Sequence, residues 1–315
     1  MSTDLEVEAV PEPAAEERRT PSPAVAAGGR FGRAARRILL WAGLIFVGVF
    51  ASLYALQGNI IFPGAATQGT PEAVVRPGPG EELLRLETDG GRVVALFSPA
   101  RARNGKVLAD AASRPALIFF YGNAMCLAYS TAELDRFSRL GLNVVIPDYL
   151  GYGMSGGKPS EAGCRQTAEA CYRALRERGF PADRIVVGGW SLGGAVAIDL
   201  ASTQDVAGLF AFSTFTSIPE MSRAILPVTP PAALFRDKFD SLSKMPKLTC
   251  PILLGHGRRD RIVPFKMFQR LYAAVEPPPA KLEIDADHND FLGRGGAELD
   301  RAILVLVTKA AAGRR

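Results

Sequence analysis

Histidine and cysteine are the scarcest chemical resources in this chain. Its 315 residues hold two histidines and four cysteines, Cys126, Cys164, Cys171 and Cys250. No two cysteines have the C-x-x-C spacing of a zinc site or redox dithiol, so metal chemistry has no support. Cys164 and Cys171 fall on one face of a helix, but seven residues of rise separate them by about 10.5 Å. That exceeds the reach of a disulfide, and the four are read as free or buried thiols. Single-signed charge is also lacking: the net charge is +5, spread along the chain. No Lys/Arg cluster is interleaved with aromatics, which excludes a nucleic-acid surface. The 48% hydrophobic content fits a globular protein with a sizeable core, and the length suits one large domain or two small ones.

Residues 1–37 lack apolar periodicity and are rich in Pro, Ala, Glu and Arg, the composition of a disordered tail. Its acids end at Glu17 and its arginines run from Arg18 to Arg37. Residues 38–56 then carry no charge at all. Nineteen apolar residues make a helix of about 28 Å, enough to cross a bilayer. A cleaved signal peptide is the alternative and would use Val49-Phe50-Ala51, but a 37-residue leader before the apolar run is unusually long for that pattern. A buried core helix would show a polar face, and this run has none. Arg30, Arg33, Arg36 and Arg37 precede the run, and the first basic residue after it is Arg76. The positive-inside rule then predicts a single-pass membrane protein with a cytoplasmic N-terminus and a periplasmic or extracytoplasmic domain. Residues 57–80 read as an extended lead-in.

From residue 81 the chain alternates strand and helix signals. Leu83–Thr88 and Arg92–Ser98 flank Asp89-Gly90-Gly91, a hairpin turn. Ala116–Tyr121, Asn143–Tyr149, Arg184–Trp190, Val206–Ser213, Pro251–Gly257 and Lys281–Ala286 read as further strands, several wholly apolar as buried parallel strands are. Helical stretches are expected up to Leu140, over Glu161–Glu177 and Gly193–Ser202, and in a closing helix over Ala297–Ala312. An opening hairpin followed by βα units predicts an α/β domain over residues 81–312, a mostly parallel sheet with helices on both faces. Chemistry in such sheets gathers at the carboxyl ends of the strands.

Gly189-Trp190-Ser191-Leu192-Gly193 places G-x-S-x-G between an apolar strand and a helix. That turn is strained, and Gly189 and Gly193 remove side chains that would collide in it. Ser191 would sit at a helix N-terminus, where free amides favour developing negative charge. A serine hydroxyl needs a base to take its proton. The two histidines are His256 and His288, and the chain order of this arrangement is Ser, acid, His. His288 with Asp260 satisfies it. His256 cannot, because Asp260 follows it, so His256 is expected to shape the turn that presents Asp260. Asp285, Asp287 and Asp290 lie too near His288 in sequence to reach it from another strand. An oxyanion hole would use the backbone amides of Leu192 and Asn123, the latter in the loop after Ala116–Tyr121. Gly151-Tyr152-Gly153-Met154-Ser155-Gly156 matches a dinucleotide fingerprint, but Gly157, Pro159 and Ser160 delay the helix that such a site requires.

Asp148-Tyr149-Leu150-Gly151-Tyr152-Gly153-Met154-Ser155 resembles a segment of the α/β hydrolases. Within them, Tyr121-Gly122-Asn123-Ala124, the 189–193 motif, Ser213–Pro219, His256–Asp260 and His288-Asn289-Asp290 together resemble the bud-emergence-type membrane-anchored hydrolases, over about residues 38–310. Gln57–Pro63 is similar to the segment these proteins carry after their span. The resemblance implies an eight-stranded sheet, a short insertion near residues 214–247 over the site, and no metal or organic cofactor. It implies hydrolysis of an ester, thioester or amide, with a small acyl molecule as substrate. Lipid-like esters suit an anchored enzyme. Tyr121 stands where the family has His, and Met125-Cys126 replace a small polar pair, which implies a more apolar acyl pocket. Two rival readings are a serine peptidase of the prolyl-oligopeptidase type, which usually adds a propeller domain, and a non-catalytic tethered binding module, which would carry a damaged triad.

Overall fold

The computed structural model describes residues 23–226 and 229–312. The chain divides into two compact units, Met1–Leu53 and Tyr54–Arg315. In the first, the described residues are helical: α1 runs over Pro23–Ile61, and its final residues belong to the second unit. The tail expected over 1–37 lies outside the described residues up to 22. From residue 23 that expectation is corrected: the run to Arg37 is helical despite Gly28, Gly29 and Gly32, its five alanines and four arginines being good helix formers. Within α1, Ala35–Ile61 is long and apolar enough to cross a membrane. Ile38, Trp41, Leu44 and Val47 are each more than 60% exposed.

The second unit is built on one eight-stranded sheet: β1 (Glu82–Thr88), β2 (Gly91–Ser98), β3 (Ala116–Phe120), β4 (Asn143–Pro147), β5 (Ile185–Trp190), β6 (Gly208–Phe212), β7 (Ile252–Gly257) and β8 (Ala280–Ile284). Their order is β1-β2-β4-β3-β5-β6-β7-β8, and pairing is parallel from β4 to β8. β2 is antiparallel to both its neighbours, joined to β1 by a turn in which Thr88 pairs with Gly91. The helices are α2 (Thr131–Arg139), α3 (Glu161–Glu177), α4 (Leu192–Ala201), α5 (Ile218–Ile225), α6 (Phe265–Ala273) and α7 (Phe291–Ala312).

Burial explains the strand composition. All five residues of β3, of β4 and of β6 are buried, so no polar alternation is possible there. Phe210 of β6 stacks between Phe119 of β3 and Phe212, with ring centroids 6.3 and 4.9 Å away. A Cβ on Gly188 of β5 would run into the Phe210 ring, so that glycine makes room for the stack. Cys126, Cys164 and Cys171 are buried free thiols, and Cys250 is half-buried, its thiol pushed up to about 11 by burial.

Three expectations need correction. Residues 57–80 are not extended throughout: α1 continues to Ile61, and tight 3-10 turns follow at Pro63–Thr67 and Pro71–Ala73. The closing helix begins at Phe291, six residues before Ala297, and breaks at Gly296, whose φ of 42° no helix accommodates. α5 and α6 stand where no helix was expected. The chain between β6 and β7 carries α5 and two 3-10 turns.

The crossover from β3 goes outward to β4, whereas β5 returns on β3's other side. The carboxyl ends of β3 and β5 therefore flank a topological switch point, where an open α/β sheet leaves a crevice.

Candidate active site

Ser191 lies at this point, between β5 and α4. Its φ of 57° and ψ of −119° put a non-glycine residue in a left-handed region, and its amide donates to the Phe212 carbonyl at 2.8 Å. Such backbone costs about 1–3 kcal/mol and persists only when neighbours enforce it. The enforcement is visible. A Cβ at Gly189 would overlap the Gly193 carbonyl, and one at Gly193 would overlap the Phe120 carbonyl at the end of β3. A Cβ at Gly194 would lie 2.7 Å from that of Thr214. Any side chain at these positions would push α4 away from the sheet and flatten the turn.

His288 follows β8 and meets Ser191 across the sheet. Its Nε2 is 3.0 Å from Ser191 Oγ, and its Nδ1 is 2.7 Å from Asp260 Oδ2. The carboxylate fixes the tautomer: Nδ1 carries the hydrogen and donates to Asp260, leaving Nε2 to accept from the serine hydroxyl. Ser191 is 8% exposed and His288 3%, so the pair is nearly dry while still reachable. The Trp190 ring packs 4.9 Å from the imidazole, limiting its tilt.

Asp260 is held from four directions. Oδ1 accepts from the amides of Ile262 at 2.9 Å and Val263 at 2.7 Å, and Oδ2 lies 3.2 Å from His256 Nε2 as well as facing His288. Burial alone would raise its pKa, but hydrogen bonds from His256 and His288 outweigh this and hold the carboxyl well below the usual carboxylate range. It therefore stays ionised throughout the neutral range. His256, fully buried, also donates from Nε2 to the Val263 carbonyl at 2.9 Å, tying both ends of the 260–263 turn. Its Nδ1 is buried without a partner, so the hydrogen sits on Nε2. Asp287 is turned elsewhere: Oδ1 accepts from the amides of His288 and Arg261, and Oδ2 pairs with the Arg261 guanidinium. Asp285 pairs with Arg259 and Asp290 with Arg294.

The loop after β3, which carries Asn123, packs against the turn at Ser191: a Cβ at its Gly122 would run into the Trp190 ring. The amides of Leu192 and Asn123 donate to no protein acceptor among the described residues. Asp148, which the sequence motif marked without assigning it a role, organises that loop. Its Oδ1 accepts from Tyr121 Oη at 2.9 Å and the Leu127 amide at 2.7 Å, and its Oδ2 accepts from the Met154 amide at 2.8 Å. Burial raises the Asp148 pKa despite these donors. Ser155 Oγ bridges the Asp148 carbonyl and the Val94 amide, so the D-Y-L-G-Y-G-M-S segment is a loop clamp. The Gly151–Gly156 run makes no helix N-terminus, since α3 starts at Glu161. Tyr121 and Cys126 are fully buried, Tyr121 against Asp148. Among Tyr121, Met125 and Cys126, Met125 alone is partly exposed. Among the described residues no group of His, Cys, Asp and Glu is arranged to hold a metal.

The alpha/beta hydrolase fold family matches this chain over residues 115–231. Alpha/beta hydrolase domain-containing protein 17B of Homo sapiens is 31% identical over 213 residues, 67% of this chain and 69% of that protein. Protein 17C of Xenopus laevis is 36% identical over 219 residues, 67% of this chain and 65% of that protein. The chain thus spans just under two thirds of the length of the 17C relatives it matches. Among solved structures, an esterase of Pyrococcus furiosus superposes with a TM-score of 0.59 at 17% identity, covering 75% of this chain and 96% of that one. A membrane phospholipase A superposes with a TM-score of 0.54 at 16% identity, covering 90% and 99%. The chain belongs to the alpha/beta hydrolase family.

Proposed function

We propose that the protein is a membrane-anchored serine hydrolase that cleaves an ester, thioester or amide through an acyl-enzyme at Ser191. The observation that carries this reading is the unbroken line of hydrogen bonds from Ser191 Oγ through His288 to Asp260. His288 Nε2 takes the hydroxyl proton as Ser191 Oγ attacks the acyl carbonyl carbon. The negative charge moves to the carbonyl oxygen, where the free amides of Leu192 and Asn123 and the N-terminus of α4 are suited to stabilise it. The imidazolium then returns its proton to the leaving group, whose bond to the acyl carbon breaks. Water, deprotonated by the same Nε2, attacks the acyl-enzyme, and collapse of that second intermediate regenerates Ser191 and releases the acid. Ionised Asp260 balances the transient imidazolium charge throughout.

Anchoring rests on the exposed apolar surface of α1 from Ile38 to Leu56, since water would have to cover its large aliphatic and aromatic side chains. The arginines before it and their absence after it until Arg76 favour a cytoplasmic N-terminus and an extracytoplasmic catalytic unit. The motif resemblance to the bud-emergence-type hydrolases accords with both points.

The test is a panel of p-nitrophenyl esters of increasing acyl length, with matched thioesters and anilides, assayed on the full chain in detergent. Ester and thioester turnover should exceed anilide turnover by orders of magnitude. Anilide turnover equal to ester turnover would favour the peptidase reading. No turnover, with no labelling by a fluorophosphonate, would leave only the binding module.

A further inference from the structure

The chain segment that leaves α1 does more than connect it to the sheet. Ile61, the last residue of α1, accepts a hydrogen bond at its carbonyl from Asn123 Nδ2 at 3.2 Å. Three residues later, the Gly64 amide donates to the Asn123 carbonyl at 2.9 Å, and Tyr152 Oη donates to the same oxygen at 2.9 Å. The side chain and the carbonyl of Asn123 are thus both held, by elements from either side. Gly64 is buried, and a Cβ there would lie 2.7 Å from the carbonyl oxygens of both Asn123 and Met125 and overlap the Tyr152 ring. The contact is closed to any side chain.

The segment is itself laced down. Phe62 is 1% exposed and meets the Phe239 ring edge-on, with centroids 6.0 Å apart. Thr67 Oγ1 donates to the Gly64 carbonyl at 2.7 Å and accepts from the Gly153 amide at 3.1 Å, and the Gly69 amide donates to the Gly153 carbonyl at 2.9 Å. Residues 61–69 therefore form a strap that runs from the end of α1 across the loop holding Asn123 and on to the loop after β4. A plain linker needs none of these bonds.

The geometry points to this strap as a positioning device: Ile61 and Gly64, with Tyr152, fix Asn123 by its side chain and its own carbonyl, and so set the backbone conformation from which its N–H meets the substrate oxyanion. This rests on the reading of Ser191 as nucleophile and of Asn123 as oxyanion donor. A donor displaced by about 1 Å can lose on the order of 10²-fold in rate without touching the substrate's ground state. The strap should therefore act on kcat and leave KM alone.

The experiment compares the full chain with Gly64→Ala, Asn123→Ala and Tyr152→Phe in detergent, using a short-chain p-nitrophenyl ester. Active serines are first counted by exhaustive fluorophosphonate titration, so that turnover is expressed per competent site. Gly64→Ala should lower kcat per titrated serine by about 10²-fold. Asn123→Ala keeps the amide but loses the tie to Ile61, and Tyr152→Phe loses one donor to the carbonyl; each should lower kcat roughly tenfold. KM should stay within about twofold, and inhibition by an alkyl boronate, which imitates the tetrahedral intermediate, should weaken in parallel with kcat. If the variants lose titratable serine but keep kcat per remaining site, the strap is only structural and the proposal is overturned. A rise in KM at constant kcat overturns it as well. Should Gly64→Ala fail to fold, the other two variants decide by the same criteria. A wild-type chain that neither turns over ester nor labels would overturn the hydrolase reading itself, an outcome that intact wild-type activity separates from failure of the strap.

Discussion

Ser191→Ala is expected to remove essentially all turnover, a fall of about 10⁶-fold in kcat, and to abolish fluorophosphonate labelling. The argument is geometric. Ser191 Oγ is the hydroxyl that His288 Nε2 contacts, at 3.0 Å, and it sits where β5 gives way to the N-terminus of α4. Alanine keeps the Cβ and so leaves packing against Gly189 and Gly193 unchanged, which makes a loss of activity chemical rather than structural. Thermal melting should show a folded variant. Labelling that persists at another serine would place the nucleophile elsewhere and end the assignment.

Asp260→Asn should lower kcat by about 10⁴-fold through the tautomer of His288 rather than through loss of charge alone. Asp260 Oδ1 accepts from two backbone amides, at 2.9 and 2.7 Å, so the asparagine must keep its carbonyl oxygen there. Its NH₂ group then occupies the place of Oδ2 and points at His288 Nδ1 and His256 Nε2. A donor facing Nδ1 forces the His288 hydrogen onto Nε2, which can then no longer accept from Ser191. The steady-state rate at saturating ester measures the effect, and NMR of the ring nitrogens reports the exchanged tautomer. A kcat within tenfold of wild type would mean that another acid orients the base.

The sheet was legible because burial on both faces leaves only apolar residues to choose from. β3, β4 and β5 stand within two residues of their expected ends for that reason. The candidate site was legible because histidine is so scarce: with two in the chain, the order of serine, acid and base selects His288, which lies between Ser191 and Asp260. α6 was missed although Phe265, Met267, Phe268 and Leu271 follow a helical period, because the nine residues after Pro264 hold only about two and a half turns of pattern. The start of α7 was hidden by Gly293, Gly295 and Gly296, which read as breakers, and one of them does break the helix. The role of Asp148 could not be read at all. Met154 lies in its own loop, but Tyr121 and Leu127 come from the segment after β3, which meets the loop after β4 only once the sheet has formed. The same holds for Gly64, whose neighbours Asn123 and Tyr152 are far from it in sequence.

The left-handed backbone at Ser191 sets activity against durability in this molecule. A glycine at 191 would adopt that conformation freely, releasing about 1–3 kcal/mol of strain against a loss of up to about 1 kcal/mol from a looser unfolded chain. Ser191→Gly should thus raise the urea midpoint while ending turnover, whereas an unchanged or lowered midpoint would show the turn to be relaxed. On these terms the proposed nucleophile is the residue that selection for stability alone would discard. The chain keeps it by surrounding it with glycines that leave the backbone no easier path.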